Sequence, residues 1–390
     1  MADVKGDPMI NQERLTQTFM QLVQIDSVSK EEGEIAQTLC GMLSELGAVV
    51  VRDDAHEKIG GQSGNIIAKF KGIVTAAPIM LNAHMDTVEP GRGVEPVLAD
   101  GVFSSKGDTI LGADDKSALA IILEALRVLH ENQIPHGPLE VVFTVCEEVG
   151  LLGAKNLNFD LISAKYGFAL DATDTQGVIT RAPSANHLKF TIHGKAAHAG
   201  AKPENGINAV QIASSAIANM QLGRIDRETT CNIGLINGGR AINIVPDHVD
   251  VEGEARSHDE DKLERVTRAM LDSFQNALSV TQPADNVENL PKLTYSVEKE
   301  FTRTHIPDDH PVVVLATQAA TNLNRNMVCK ATGGGADANV FSQHGIALGV
   351  LGTGMTDMHT LQESVTLDDM IATTQLLLEI IRLHAEGEGA

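Results

Sequence analysis

Leu139-Glu-Val-Val-Phe-Thr-Val-Cys146, followed at once by Glu147-Glu148, is the stretch that decides how this chain folds. The run is nearly continuous in apolar residues, as in a strand covered on both faces. Just before it, 116–130 reads as a helix. Further strand candidates lie at 48–51, 65–70, 79–83 and 166–170. Helices are expected near 11–24, with Leu15, Phe19, Leu22 and Val23 on one face, and near 30–46, with Ile35, Leu39, Leu43 and Leu46. This alternation predicts an α/β fold, a mixed sheet with helices on both faces.

The pattern changes after Pro183. A strand at 187–193, a helix at 206–221, strands at 231–236 and 249–255, a helix at 259–279 and a strand at 292–300 run in the order β-α-β-β-α-β. That is a split βαβ, ferredoxin-like α+β unit long enough to be its own domain. The first pattern then resumes, with a helix near 309–323 and a strand near 327–331. The loop Gly333-Gly-Gly335 opens a short helix, and a strand at 346–351 follows. The final helix starts at Leu367, with Thr366 and Asp369 suited to its N-terminus. The expected organisation is one domain built from 1–183 and 302–390, interrupted by an inserted domain at 184–301.

The length of 390 residues agrees with two or three domains, and 43% apolar residues allow packed cores. No stretch approaches the ~20 apolar residues that span a bilayer. The N-terminus has no apolar signal core, so the expectation is a cytoplasmic protein without membrane association. Met9 is a candidate natural start, with residues 1–8 an expression remnant. Cys40, Cys146, Cys231 and Cys329 form no C-x-x-C, which argues for reduced thiols and against a cysteine zinc site. A formal charge of −22 repels phosphate backbones and disfavours nucleic acid as a partner.

Polar residues at the carboxyl ends of the predicted strands carry the chemistry, because open α/β sheets bind ligands there. The run 79–83 leads to His84-Met-Asp86, 110–113 to Asp114-Asp-Lys116, 139–146 to Glu147-Glu148, 166–170 to Asp171, and 346–351 to Asp357-Met-His359. Each has an ordinary explanation alone: a surface histidine, an N-cap aspartate, a solvated glutamate pair. Their coincidence at one sheet edge is what points to a metal centre. Two imidazoles with carboxylates suit zinc, with cobalt or manganese as substitutes; calcium takes more oxygens and no imidazole. Two ions sharing a carboxylate can share a water and lower its pKa. One of two adjacent glutamates then ligates while the other accepts the water's proton. The Gly333–Gly335 loop lacks the G-K-[ST] ending of a phosphate loop.

The segments Asn82-Ala-His84-Met-Asp86-Thr-Val88, Gly112-Ala-Asp114-Asp-Lys116, Cys146-Glu-Glu-Val-Gly150, Leu170-Asp171, His193-Gly-Lys-Ala-Ala-His198-Ala-Gly200, Gly253-Glu-Ala-Arg-Ser-His258, Gly333-Gly-Gly-Ala-Asp337 and Met358-His359 follow one another in a specific order. In this combination the chain resembles the cocatalytic zinc peptidases that include peptidase T, glutamate carboxypeptidases and aminoacylases. It is most similar to the peptidase T-like branch. The resemblance implies two zinc ions per chain. His84 and Asp171 would hold one, Glu148 and His359 the other, and Asp114 would bridge them through a residue in cis linkage to Asp115. Asp86 would orient His84, and Glu147 would be the general base. The inserted domain would act as lid and homodimer interface, and its His198 would stabilise the oxyanion from the partner subunit. Asn243, Arg256 and the backbone of Gly334 would contact substrate. The implied activity is tripeptidase-like aminopeptidase cleavage of short peptides, with N-acyl amino acid hydrolysis or carboxypeptidase action as the alternative. The residues alone also allow His198 to cap a turn and Arg256 to pair with a carboxylate of the inserted domain. After Asp171 the chain reads Ala172-Thr173-Asp174-Thr175, where peptidase T carries a glycine-rich stretch.

Overall fold

The apolar run at 139–146 forms the strand Leu139–Thr144, and every residue of it is buried, as in Ile79–His84. Both sit at the centre of a mixed sheet in the computed structural model, which describes residues 10–281 and 289–387. Residues 1–9, including the candidate start at Met9, lie outside the described residues. Across the sheet the strands run Val49–Arg52, Ile66–Phe70, Leu139–Thr144, Ile79–His84, Tyr166–Ala172, Ala347–Gly352, Gly177–Ala182 and Thr304–His305, and Val328–Ala331 pairs with Gly177–Ala182. The middle four are mutually parallel; their flanking neighbours are antiparallel. Parallel pairing sends four strand ends to the same edge, and the register fixes their levels. His84 lies opposite Thr144, and Asn82 opposite Ala169, which brings His84 level with Asp171 two residues on.

The helix Ala113–Glu131 is buried over most of its length and packs against Gln12–Val23 and Leu367–Gly387. Its buried Glu124 is held by Arg14, whose Nε and Nη2 donate at 2.7 and 2.8 Å. Asn11 caps the first helix by accepting the Arg14 N–H at 3.0 Å. Thr366 accepts the Asp369 N–H at 3.0 Å at the start of the last helix.

Some sequence expectations shift. The segment 110–113 is not a strand: Gly112, at φ +75, turns an irregular loop directly into the helix that begins at Ala113. The helix expected from residue 30 begins at Gly33, because Lys30 takes a left-handed backbone at φ +78. The helix expected at 206–221 is the shorter Ala209–Ala218. A small sheet of Ser364–Thr366, Val102–Lys106 and Glu95–Ala99 went unread, because its strands are short and carry few buried apolar residues.

The contacts divide the chain into two units, the second comprising Arg181–Thr304 together with Thr332–Gly335. It holds an antiparallel sheet ordered Gly223–Arg224, Thr229–Gly238, His248–Ser257, Ser184–His193, Lys292–Phe301, and the helices Ala209–Ala218 and Glu260–Ser279. Its core includes Leu188, Ile192, Val249 and Val251, with Phe190 stacked on Phe274 at 4.0 Å between centroids. The segment Thr332–Gly335 joins this unit through His258, whose Nε2 lies 2.9 Å from the Thr332 carbonyl, and through Gly335. A Cβ on Gly335 would come within 2.3 Å of the Phe301 ring. All four cysteines are free, and no helix among the described residues is long and apolar enough to cross a membrane.

The close approach of the central strands yields a test. A Cβ on Gly167 would stand 2.1 Å from the Met80 carbonyl oxygen, a backbone atom fixed in the sheet. Gly167→Ala is expected to destabilise the protein by at least about 2 kcal/mol, read as a lower denaturant midpoint.

Candidate metal centre

The edge formed by the parallel strands gathers the residues expected from the sequence. His84 ends its strand, buried, and its Nδ1 lies 2.9 Å from the Asp86 carbonyl oxygen. A carbonyl only accepts, so Nδ1 carries the proton and Nε2 is the atom left for a ligand. That Nε2 sits 3.1 Å from Asp114 Oδ1, while Asp114 Oδ2 sits 3.3 Å from His359 Nε2. One carboxylate thus addresses two imidazoles with different oxygens. His359 Nε2 is also 2.9 Å from Glu148 Oε1. Ligand atoms of His84, Asp114 and Glu148 all lie within 4.8 Å of one another. Asp171 joins the group through charge, acting on Asp114 and Glu148. The peptide between Asp114 and Asp115 is cis.

The loops that carry these groups are held by buried carboxylates. The Asp86 side chain accepts the Ser29 hydroxyl at 2.6 Å, the Glu147 N–H at 2.8 Å and the Glu148 N–H at 3.3 Å. The Asp86 backbone carbonyl accepts from the His84 ring, its carboxylate faces the same ring at 3.5 Å, and that carboxylate also anchors the glutamate pair. Glu32 accepts the Cys146 N–H at 3.0 Å, fixing the left-handed residue (φ +52) that precedes Glu147. Asp115 accepts the His84 N–H at 3.2 Å. The Glu148 carboxylate is engaged with His359, whereas Glu147 has no side-chain hydrogen bond among the described residues. His359 and Asp357 hold left-handed backbones at φ +62 and +52, conformations that non-glycine residues adopt at a cost and that cluster at functional sites.

Charge decides whether cations fit here. Burial pushes Glu148 up to about 7 and Asp337 up to about 6. Burial, with neighbouring carboxylates, pushes Glu147, Asp171 and Asp115 well above their ordinary range. Burial opposes charge on His84, but Asp114 and Asp86 outweigh it and hold the ring well above 6.5. Asp114 raises His359 to about 9. Burial would lift Asp114, yet the two imidazoles hold it below the carboxylate range. The cluster is deficient in positive charge, and protons take up the deficit. Asp115 Oδ1 and Asp337 Oδ1 are buried without a hydrogen-bond partner among the described residues. A borderline nitrogen and oxygen donor set in this condition fits divalent cations.

The other predicted residues lie in the second unit. His198 is exposed, and its Nδ1 accepts the N–H groups of Gly200 and Ala201, each at 3.2 Å. It caps a turn and keeps an Nε2–H directed elsewhere. Asn243 is next in space, its carbonyl accepting the Ala199 N–H at 2.9 Å. Arg256 donates from Nε and Nη2 to Glu254 Oε2 at 3.1 and 2.8 Å, the carboxylate pairing that the residues allowed. Gly334 N–H donates to Thr332 Oγ1 at 3.1 Å. Sequence reasoning assigned no role to Glu32, Asp337 or Glu363. Asp337, whose carboxylate accepts the Thr144 hydroxyl, follows the glycine loop directly; Glu32 and Glu363 give no signal beyond being acids.

Residues 80–383 match peptidase family M20/M25/M40. The chain belongs to this family. It is 41% identical to the uncharacterized protein YqjE of Bacillus subtilis (strain 168), over 97% of this chain and 100% of that one. Its structure is similar to that of aminopeptidase PepT from Bacillus cereus ATCC 10987, with a TM-score of 0.87, 41% identity, and 96% and 99% of the two chains covered. It also resembles a tripeptidase from Staphylococcus aureus subsp. aureus mu50, with a TM-score of 0.90, 38% identity, and 97% and 100% covered. These likenesses put the chain in the peptidase T-like branch of the M20 family, in which metal dependence is general.

The shifts give a pH test. Carboxyls raised by the fold stabilise it while protonated, and that contribution is lost as pH rises through about 6 for Asp337 and about 7 for Glu148. The raised His359 loses its contribution between 6.5 and about 9. Cations replace these protons in the loaded protein. The Tm gap between metal-loaded and chelator-treated protein is therefore expected to widen from about pH 5.5 to about pH 8.5. Thermal melts in matched buffers read it, and a gap independent of pH would contradict the assignment.

Proposed function

We propose that this protein is a cytoplasmic, tripeptidase-like aminopeptidase that removes the amino-terminal residue of short peptides at a centre of two zinc ions, with cobalt or manganese as substitutes. The observation that carries this reading is the Asp114 carboxylate facing His84 with one oxygen and His359 with the other, beside a Glu147 carboxylate without a side-chain hydrogen bond among the described residues. Residues His84, Asp114 and Asp171 would hold one ion; Asp114, Glu148 and His359 the other. The similarity to an aminopeptidase and a tripeptidase supports the substrate class. Four free cysteines support the compartment.

When bound, the ions polarise the scissile carbonyl and lower the pKa of the attacking water. The chain's own groups do the rest. Glu147 takes the proton of the attacking water on its carboxylate and delivers it to the leaving nitrogen. Its burial and neighbouring carboxylates favour the protonated form and so make it a stronger acceptor for that proton. Asp86 keeps Glu147 in place through the N–H it accepts. The Nε2–H of His198 donates to the oxyanion as it forms. Asn243, Arg256 and the Gly334 amide contact the substrate's polar groups, Arg256 by redirecting donors now given to Glu254.

The inserted unit serves as lid and dimer interface in this proposal. Beyond Cys231 the strand Thr229–Gly238 pairs on one side only among the described residues, and Leu235 and Ile236 stand exposed along it. An open apolar edge favours pairing with a second copy.

Glu147→Gln is expected to cut kcat by roughly 10²–10⁴ while metal content stays at two ions per chain, checked by turnover on tripeptides and elemental analysis. Cleavage of N-acylated amino acids in preference to tripeptides would move the assignment to amide hydrolysis. His198→Ala is expected to lower kcat about 10²-fold. Mixed with Glu147→Gln protein, it should regain activity, because one site of the mixed dimer then has an intact Glu147 and a partner-supplied His198. No regain on subunit exchange would place His198 in its own chain's site.

A further inference from the structure

Glu363 is buried, 2% exposed, four residues beyond His359. Its Oε2 accepts the N–H of Leu111 at 2.8 Å and of Gly112 at 2.7 Å, and its Oε1 accepts the N–H of Asp114 at 2.9 Å. These are the amides of the loop that enters the helix Ala113–Glu131, a helix whose N-cap position, Gly112, supplies no capping side chain. The cap arrives from far along the chain. Asp114 itself stands outside helical geometry, at φ −82 and ψ 100, so the helix does not hold it by its own hydrogen bonds.

The other end of Glu363 is tied as firmly. Its N–H donates to the Thr360 carbonyl at 3.2 Å, and the next residue, Ser364, exchanges two backbone hydrogen bonds with Thr356 at 2.8 and 3.1 Å. That pair closes the loop 356–364, which carries His359. A single buried carboxylate therefore joins the loop of Asp114 to the loop of His359, whose facing atoms are 3.3 Å apart.

We propose that Glu363 is a positioning residue that holds the Asp114 carboxylate between His84 and His359, and thereby sets cation affinity and the alignment of the centre with Glu147. This rests on the reading that these residues hold the cations. A carboxylate is required for it. Three converging N–H groups need an acceptor at both oxygens, and the amide nitrogen of a glutamine would confront at least one donor with another donor.

The experiment compares Glu363→Gln with Glu140→Gln in the full chain. Glu140 is also a buried carboxylate that accepts backbone N–H groups, from Ser163 and Ala164, each at 2.9 Å, but it ties no loop of the metal centre. Glu363→Gln is expected to weaken zinc and cobalt binding about 10–100-fold in calorimetric titration. The Co²⁺-loaded variant should show an altered visible absorption spectrum, and at saturating metal kcat should fall while KM stays within about twofold. Glu140→Gln should lower Tm and leave affinity and spectrum unchanged. Wild-type affinity and spectrum in Glu363→Gln, or equal losses in both variants, overturn the proposal. If Glu363→Gln does not fold, amide exchange in metal-free wild-type protein decides: slow exchange at Leu111, Gly112 and Asp114 supports it, and exchange as fast as in exposed loops overturns it. A wild-type protein that binds two ions but cleaves no peptide fails the aminopeptidase reading alone, since the titrations do not depend on substrate.

Discussion

Carboxylates withdrawn from water at the carboxyl edge of one sheet are the constraint around which the first unit is arranged. Asp86, Asp114, Asp115, Glu147, Glu148, Asp171 and Asp337 share that region, and a charge in low dielectric is costly unless it is matched. The chain matches part of it with backbone N–H groups and part with the imidazoles of His84 and His359. The remainder takes up protons, seen as carboxyls raised to about 6 and about 7 in Asp337 and Glu148. A site in that condition exchanges protons for divalent cations, and this is the physical content of metal dependence here.

The acids divide into those that face the centre and those that hold the loops. Asp86 and Glu32 turn their oxygens to the amides around Glu147 and Glu148, and Asp115 supports the backbone of His84. Because each loop is fixed by a group from another strand or helix, the facing residues are held in place by the sheet beneath them. Preorganisation of this kind lets fixed charges act on a transition state without reorganising.

The second unit contributes different chemistry. Its sheet and two helices form their own core around Phe190 and Phe274, and its functional candidates sit on turns and strand ends of that core. His198 illustrates the economy of the arrangement: one ring nitrogen caps a turn, which fixes the tautomer and leaves the other nitrogen as a donor. Arg256 is a contrasting case, already paired with Glu254.

Much of this was legible in the residues. The apolar run ending at Glu147-Glu148, the β-α-β-β-α-β order of the insertion and most of the candidate ligand residues follow from periodicity and local chemistry, which a linear pattern records. The entry to Asp114 was misread as a strand, since the short apolar run Ile110-Leu-Gly-Ala113 looks the same in a loop. Asp86 was expected beside His84, but nothing in the residues showed that its backbone carbonyl also meets the ring or that its carboxylate anchors Glu147 and Glu148. Glu32 and Glu363 carried no signal, because an acid that accepts distant amides is identical in sequence to an acid that faces water. The sequence by itself determined most of the central elements and the candidate donor set of the centre. Only the tertiary structure decided which carboxylates face the centre and which hold its loops, because that choice depends on which backbone amides long-range packing leaves without partners.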